Sequence, residues 1–327
     1  MDAHRRAKDR AVMERFLVEP ALFPRRISGE TWGTESVTID LAGDRYRIDG
    51  LASWQVASLA SRYGPRMNFV GAAALSGTAT AGGSGRHITS GDAVATLQVF
   101  RAPRSDFREI DTRGWEYWLD LQWDDNALAI AGMRLMARVD LASMRGGIWT
   151  CVDDPDEFWG LVENVLRPIL AAQLLDRGNG LLVHSAAADG FLFPSTSGGG
   201  KSTIARMALD AGLPVLSDDL NAIVRREDQW MILPLPFTGD LLERELSATP
   251  QRLRAIVAIE KSTDNALRNM PAAAAVSLLT RCSPYVNQDP QRTDALVSRA
   301  AEIAAAVPRA MLAFTMGGNV WPILNRA

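Results

Sequence analysis

The 327 residues of this chain are 47% hydrophobic and 22% charged, the proportions of an ordinary globular protein with room for two domains. A formal net charge of −3 predicts no strong attraction to nucleic acid or an anionic membrane, so we expect neither as a partner. Two cysteines without metal-site spacing, Cys151 and Cys282, and a charged N-terminus unlike a signal peptide predict a cytoplasmic protein.

The first half of the sequence predicts mainly β structure. Residues 36–41 and 45–48 alternate apolar and polar side chains around a turn, which predicts a hairpin, and residues 52–63 predict a short helix. Further strands are predicted over 95–100, 115–122, 128–131, 135–141 and 148–151, and the glycine-rich run 77–85 predicts a loop or linker. The tryptophans of this half predict a packed core, and docking of an extended peptide on a sheet edge is the alternative.

A helix is predicted to follow this β region. Asp154 precedes Pro155, and an aspartate N-cap followed by proline is typical of a helix start. Apolar residues at helical spacing extend the helix through Leu170, with a bend at Pro168 because proline removes a hydrogen bond. We therefore predict a mainly β domain over 1–152, with a role in peptide or substrate docking, and a second domain over 153–327.

The most informative segment is the run Leu-Phe-Pro-Ser-Thr-Ser-Gly-Gly-Gly-Lys-Ser-Thr over residues 192–203. It predicts a strand, a glycine-rich turn and a helix that opens at Lys201, which is the order that a phosphate-binding loop requires. Lys201 would reach the outer phosphates and Ser202 would ligate Mg²⁺. The residues assigned to nucleotide binding are Ser197, Gly198, Gly199, Gly200, Lys201, Ser202 and Thr203.

One position departs from the usual phosphate-loop pattern. Ser195 stands where a glycine is usual, and serine would be strained there if the backbone needs a positive φ. We expect the three consecutive glycines to supply the necessary freedom instead. Lys201 is one of only three lysines in the chain, so a high lysine content does not explain a lysine at this position.

A pair of aspartates follows at the next strand. The helix is predicted over 201–210 and a short buried strand over 214–217, which delivers Asp218 and Asp219 at its carboxyl end. Phosphoryl transfer needs one carboxylate for Mg²⁺ and another for the attacking group, and an adjacent pair can serve both purposes. A solvated turn or helix cap is the alternative interpretation.

His184 ends a strand predicted over 180–184, next to the strand that enters the glycine-rich loop. A histidine there can orient a phosphate, an acceptor hydroxyl or the aspartate pair. A structural histidine is the alternative, and for Lys261, at the end of a later strand, a solvated position is favoured.

Together these segments resemble the HPr kinase/phosphorylase family and its looser relatives. The shared segments are 182–185, 189–190, 197–203 and 216–220, with weaker similarity at 234–240, 260–261 and 320–322, over about half of the chain. The resemblance implies a P-loop kinase fold related to phosphoenolpyruvate carboxykinase, and ATP as the phosphate donor to a serine hydroxyl. It implies that Lys201, Asp218 and His184 act in catalysis and that Ser202 and Asp219 hold Mg²⁺. The order of base and metal ligand within the aspartate pair stays open.

The chain also departs from HPr kinase itself. Residues 234–240 stand where true HPr kinases carry an arginine-containing signature, and the first half does not resemble their N-terminal domain. Some relatives phosphorylate ribosomal peptides, including lasso-peptide precursors. We therefore expect an ATP- and Mg²⁺-dependent kinase for a serine of a peptide or small protein. A nucleotide-gated peptide-binding protein, a carboxykinase-like enzyme and assembly into a homo-oligomer remain open alternatives.

Overall fold

The computed structural model describes residues 29–69, 94–107, 119–124, 126–177, 179–237, 239–241, 244–315 and 318–325. These residues form a mixed α/β protein with two β-sheets and six helices. The helices are α1 (Ser53–Tyr63), α2 (Pro155–Asp176), α3 (Lys201–Asp210), α4 (Ala272–Arg281), α5 (Thr293–Ala306) and α6 (Trp321–Leu324).

The chain divides into two compact units, Met1–Leu166 and Arg167–Ala327. The division falls inside α2, whereas the domain boundary was predicted at residue 152, and that boundary stays a prediction. Within the described part of the chain, no helix combines the length and the apolar character needed to cross a bilayer.

The first unit contains a nine-stranded sheet in the order β4-β2-β3-β5-β9-β8-β7-β6, with β1 paired to β5. Its strands are β1 (Glu30–Thr31), β2 (Glu35–Leu41), β3 (Asp44–Leu51), β4 (Met67–Phe69), β5 (Ala95–Arg101), β6 (Leu119–Asp124), β7 (Ala127–Gly132), β8 (Leu135–Asp140) and β9 (Arg145–Thr150). The hairpin prediction is confirmed, because β2 and β3 pair directly and their alternate apolar residues are buried. The predicted loop 77–85 and the predicted strand residues 115–118 lie outside the described residues.

Helix α2 begins as its sequence predicts. The Asp154 carboxylate accepts a hydrogen bond from the Asp156 N–H at 2.9 Å, and Pro155 occupies the first helical position. The helix continues past Pro168 because Leu166, Ile169 and Leu170 around it are fully buried, and that packing offsets the lost hydrogen bond.

The second unit contains a nine-stranded sheet in the order β15-β14-β13-β10-β11-β16-β18-β17, with β12 paired to β10. Its strands are β10 (Gly180–Ala188), β11 (Phe191–Pro194), β12 (Val215–Ser217), β13 (Leu220–Arg226), β14 (Gln229–Leu233), β15 (Gln251–Arg252), β16 (Ala255–Lys261), β17 (Ala266–Asn269) and β18 (Arg309–Phe314). Strand β16 runs parallel to both β11 and β18, so the carboxyl ends of these three strands meet at one edge. Ligands of open α/β sheets bind at such an edge.

The core of the second unit fixes the helix that follows the glycine-rich loop. Ile204, Ala205 and Ala208 of α3 are fully buried and belong to the same apolar cluster as Phe193 and Phe314 of the sheet. These positions recur at helical spacing, so one face of α3 packs against the sheet and its first turn stays beside the sheet edge.

Strand β10 joins the two halves of this sheet through its central residues. It pairs with β13 over 180–184 and with β11 over 185–188. At the change of partner, Asn221 of β13 donates from Nδ2 to the Ser185 carbonyl oxygen at 2.7 Å and to its Oγ at 3.1 Å. Asn221 is fully buried, so it supplies hydrogen bonds that water does not.

We predict that Asn221→Ala lowers the free energy of unfolding by about 1–3 kcal/mol, because the buried Ser185 carbonyl loses its side-chain donor. Urea unfolding of both proteins measures the change. Asn269→Ala, at an exposed position of β17, is the matched control and should stay close to wild type. Equal losses in the two variants would contradict the role given to Asn221.

Candidate phosphate-binding site

The glycine-rich loop connects β11 to α3, as the sequence predicts. Gly198 and Gly200 have φ of 80° and 105°, in the left-handed region that favours glycine. Ser195 is not among the described residues with positive φ, so serine is unstrained at this position. The expectation that the consecutive glycines supply the freedom of this loop is therefore confirmed.

Gly199 is required by close packing rather than by its φ angle. A Cβ atom added there would lie 1.7 Å from the Ser195 Oγ, which can rotate away, and 2.9 Å from the Ser195 Cβ, which moves only with the backbone. The Gly199 N–H donates to the Thr196 carbonyl oxygen at 3.2 Å, which closes the loop on itself. A Cβ at Gly200 would lie 3.0 Å from the Phe314 ring, so the loop also packs against the sheet edge.

Lys201 folds back over this loop. Its Nζ donates to the carbonyl oxygens of Ser195 and Thr196, each at 3.2 Å. The residue is only 8% exposed, and burial lowers the pKa of its ammonium group, while Asp219 and Asp218 oppose that shift. An ammonium carries three N–H donors and these bonds use two of them, so the third can reach an anion on the loop.

The N-terminus of α3 provides further donors. The first N–H groups of an α-helix have no acceptor within the helix, and no side chain caps α3 at Gly200. The helix dipole adds partial positive charge at this point. A glycine-rich turn, an uncapped helix start and a lysine ammonium together form a site that fits a phosphate group.

Asp218 is bonded to the backbone of a neighbouring loop. Its Oδ1 accepts the Gly239 N–H at 3.0 Å and its Oδ2 accepts the Asp240 N–H at 3.1 Å. The preceding Ser217 donates from Oγ to the Phe237 carbonyl oxygen at 2.7 Å. Asp218 is 2% exposed, so its contacts are those of a residue that anchors Gly239 and Asp240 beside the site.

Asp219 is the more accessible aspartate, with 23% of its side chain exposed. Its Oδ1 lies 3.4 Å from the His184 Nε2, and its Oδ2 lies 3.5 Å from a terminal nitrogen of Arg167. The Asp219 N–H donates to the Ser217 Oγ at 3.0 Å, which fixes the backbone from which the carboxylate projects. Asp219 therefore has the reach to hold a ligand that Asp218 lacks.

His184 lies against this carboxylate as a neutral imidazole. Burial lowers its pKa to about 4, and the charges of Lys201 and Arg167 act in the same direction, opposed by Asp218. At neutral pH the ring therefore adds no charge to the site. Its contact with Asp219 is a polar contact rather than an ion pair.

The residues predicted to hold Mg²⁺ have the right chemistry for that ion. Ser202 offers a hydroxyl and Asp219 a carboxylate, and Mg²⁺ prefers oxygen ligands. Among the described residues, no three histidine, cysteine, aspartate or glutamate side chains group closely enough to bind a metal by themselves. A magnesium ion here would thus take its other ligands from phosphate oxygens and water, as is usual at nucleotide sites.

The structure brings most of the predicted site residues to one region. Ser197, Gly198, Gly199, Gly200, Lys201, Ser202 and Thr203 form the loop and the first turn of α3. His184 contacts Asp219, and the pKa of Lys201 responds to both aspartates. Lys261 is exposed at the end of β16, as favoured from the sequence. The catalytic and metal roles themselves stay predictions.

Sequence reasoning missed Arg167, which contacts Asp219 from α2. One signal was present: Arg167 is the single charged residue in an otherwise apolar run between Asn164 and Gln173. A charge in such a run has a partner or a function, because an unpaired buried charge is unfavourable. Sequence reasoning also missed the anchoring of residues 239–240 by Asp218.

Comparison with known proteins does not add to this geometry. No protein-family model matches the chain, and no curated protein matches it. The features of this chain that point to a function are therefore the loop, the lysine and the aspartate pair.

We predict that Gly199→Ala weakens ATP binding by about tenfold or more, because the added methyl group displaces Ser195 and opens the loop. Isothermal titration calorimetry with ATP and Mg²⁺ measures the effect. Gly160→Ala is the control, since a Cβ there meets nothing within 4 Å and alanine favours a helix. Unchanged ATP affinity in Gly199→Ala would show that the loop does not bind phosphate.

A second prediction concerns His184, whose imidazole should titrate near pH 4. Its folded pKa lies below its usual 6.5, so the unfolded chain binds more protons between these values and stability falls as pH drops from 6.5 to 4. Histidine NMR signals, assigned with His184→Gln and compared with those of His4 and His87, give the pKa. The same variant should flatten the loss of stability in this pH range. A midpoint near 6.5 would contradict the buried, neutral ring.

Proposed function

We propose that the second unit is an ATP- and Mg²⁺-dependent P-loop kinase core of the HPr kinase type, which transfers the γ-phosphate to a hydroxyl group. The observation that carries the proposal is the conformation of Lys201. Its ammonium lies over the carbonyls of Ser195 and Thr196 at the uncapped start of α3, beside two aspartates. Few structural roles explain a buried lysine whose hydrogen bonds, within the described residues, all go to the loop preceding it, whereas phosphate binding does.

In this proposal the loop binds and orients the triphosphate. Backbone N–H groups at the start of α3 would bind the β- and γ-phosphates, and Lys201 would bind their oxygens from above the loop. Phosphoryl transfer depends mainly on such positioning and on stabilising charge. Magnesium held by Ser202 and Asp219 would neutralise part of the phosphate charge.

The aspartates would have separate tasks. Asp218 would keep Gly239 and Asp240 in place through two backbone hydrogen bonds, and these two residues would form the wall on which the acceptor lies. Asp219, which is more accessible, would face the phosphates and the acceptor hydroxyl. Neutral His184 would hold the Asp219 carboxylate in place without adding a positive charge that opposes the metal.

The acceptor that fits best is a serine of a peptide or small protein. This choice depends on the resemblance to HPr kinases and on the mainly β first unit, whose sheet ends at β4 and β6 as far as the described residues show. An extended peptide can add to such an edge through backbone hydrogen bonds. In this proposal the protein is cytoplasmic.

A second candidate function is nucleotide-gated peptide binding without transfer. One observation favours it: both oxygens of Asp218 already accept N–H groups, which leaves Asp219 as the one accessible carboxylate of the pair. Radiolabelled ATP with serine-containing peptides separates the two functions, because only a kinase labels the peptide.

We predict that Lys201→Met weakens ATP binding by about 10- to 100-fold, the worth of a charge-assisted hydrogen bond to phosphate, and removes peptide labelling. Calorimetry and the radiolabel assay measure the two effects. Lys261→Met is the matched control, because it removes the same charge from an exposed strand end. If Lys201→Met bound ATP as wild type does, the phosphate site would be disproved.

A further inference from the structure

Arg167 is held next to Asp219 by contacts on two sides. Its guanidinium carbon lies 5.1 Å from the centre of the Phe237 ring, within the range of a cation–π contact. A terminal nitrogen lies 3.5 Å from the Asp219 Oδ2. The side chain is 12% exposed and projects from a helix whose flanking residues, Leu166 and Ile169, are fully buried.

Together with two hydrogen bonds of Ser217, these contacts form a closed chain of which Asp219 is a member. The Ser217 hydroxyl donates to the Phe237 carbonyl oxygen, and the Asp219 N–H donates to the Ser217 Oγ. Arg167 thus meets the aromatic ring at one end of this chain of contacts and the carboxylate at the other. Such a closed arrangement holds the guanidinium in one place, as supporting residues of a binding site do.

We propose that Arg167 is a positioning residue that serves as the counter-ion of Asp219 and keeps a divalent cation from binding until the nucleotide arrives. This inference rests on the proposed function. A positive charge a few ångströms from a carboxylate opposes a second cation at that carboxylate. Phosphates on the loop add the negative charge that reverses the balance, so the metal joins together with the nucleotide.

The charges of the neighbouring groups agree with this proposal. Lys201 and Arg167 offset Asp218 and Asp219, and Asp240, which also acts on Lys201, lies 3.4 Å from a terminal nitrogen of Arg206. His184 is neutral, so these groups together leave no excess negative charge to attract a free cation. A bound triphosphate changes this balance. Arg167 would act through Asp219 and would not contact the nucleotide.

The test is Mn²⁺ binding to the whole protein without nucleotide, followed by electron paramagnetic resonance. We expect weak binding in wild type and about tenfold or tighter binding in Arg167→Gln, because the opposing charge is removed. Arg167→Lys keeps the charge and should bind Mn²⁺ as weakly as wild type. In the Asp219→Asn background, Arg167→Gln should have no effect, because the ligand is absent.

The matched control is Arg299→Gln, since the Arg299 side chain is 15% exposed and pairs with one carboxylate, that of Glu302. A merely structural Arg167 would give the same Mn²⁺ affinity in Arg167→Gln and wild type, which would overturn the inference. A gain that persists in the Asp219→Asn background would overturn it as well.

Calorimetry with the analogue AMP-PNP, in the absence of metal, separates this inference from the proposed function. Removal of the Arg167 charge in Arg167→Gln also weakens attraction for a nearby anion, so the informative variant is Arg167→Lys, which keeps the charge and should bind the analogue within about twofold of wild type. Weaker binding in Arg167→Lys would show that the guanidinium itself contacts phosphate and would overturn the counter-ion role alone. No binding by wild type, with or without Mn²⁺, would overturn the proposed function and this inference with it.

Discussion

The candidate site depends on two neighbouring backbone groups in the middle of β10. The His184 carbonyl oxygen accepts the Ser195 N–H at 3.2 Å, at the entrance of the glycine-rich loop, and the Ser185 N–H donates to the Asp219 carbonyl oxygen at 2.9 Å. One strand therefore fixes the distance between the loop and the aspartate pair through its own peptide bonds. Backbone positions fixed in this way do not depend on side-chain rotamers, and sites on strands are held more precisely than sites on loops. The arrangement explains why His184, which sits at this crossing, contacts Asp219.

The local sequence pattern predicted the strand, loop and helix of this site, but it did not predict contacts between residues that are distant in the sequence. Strand β11, the loop and α3 follow from residue order, because glycine, lysine and an apolar helical spacing are all local signals. The partner of Asp218 was not predictable, since Gly239 and Asp240 are brought beside it by the pairing of β13 with β14. Arg167 was missed for the same reason, as its contact with Asp219 spans some fifty residues. The lone charge in an apolar run marked it as unusual without naming its partner.

Burial and charge together set the protonation of the site. Burial lowers the pKa of both His184 and Lys201, because the charged form of each loses contact with water. For Lys201 the aspartates oppose this shift. The neighbouring cations act against protonation of His184. The aspartates thus favour a charged Lys201 ammonium where an anion is expected. The nearby cations favour a neutral His184 ring beside the carboxylate that would hold the metal.

The two adjacent aspartates have different partners, so the end of one short strand both anchors a neighbouring loop and presents an accessible carboxylate. Asp218 holds the backbone at 239–240 and is nearly inaccessible, whereas Asp219 is reached by His184 and Arg167 and retains partial exposure. Any movement of Phe237, Gly239 or Asp240 acts on Ser217 or Asp218, and through the Ser217 hydroxyl on the Asp219 backbone. A molecule that lies against these residues would thereby be coupled to the Asp219 carboxylate. Both a kinase and a nucleotide-gated binding protein need such coupling, so the fate of the γ-phosphate is what separates the two functions.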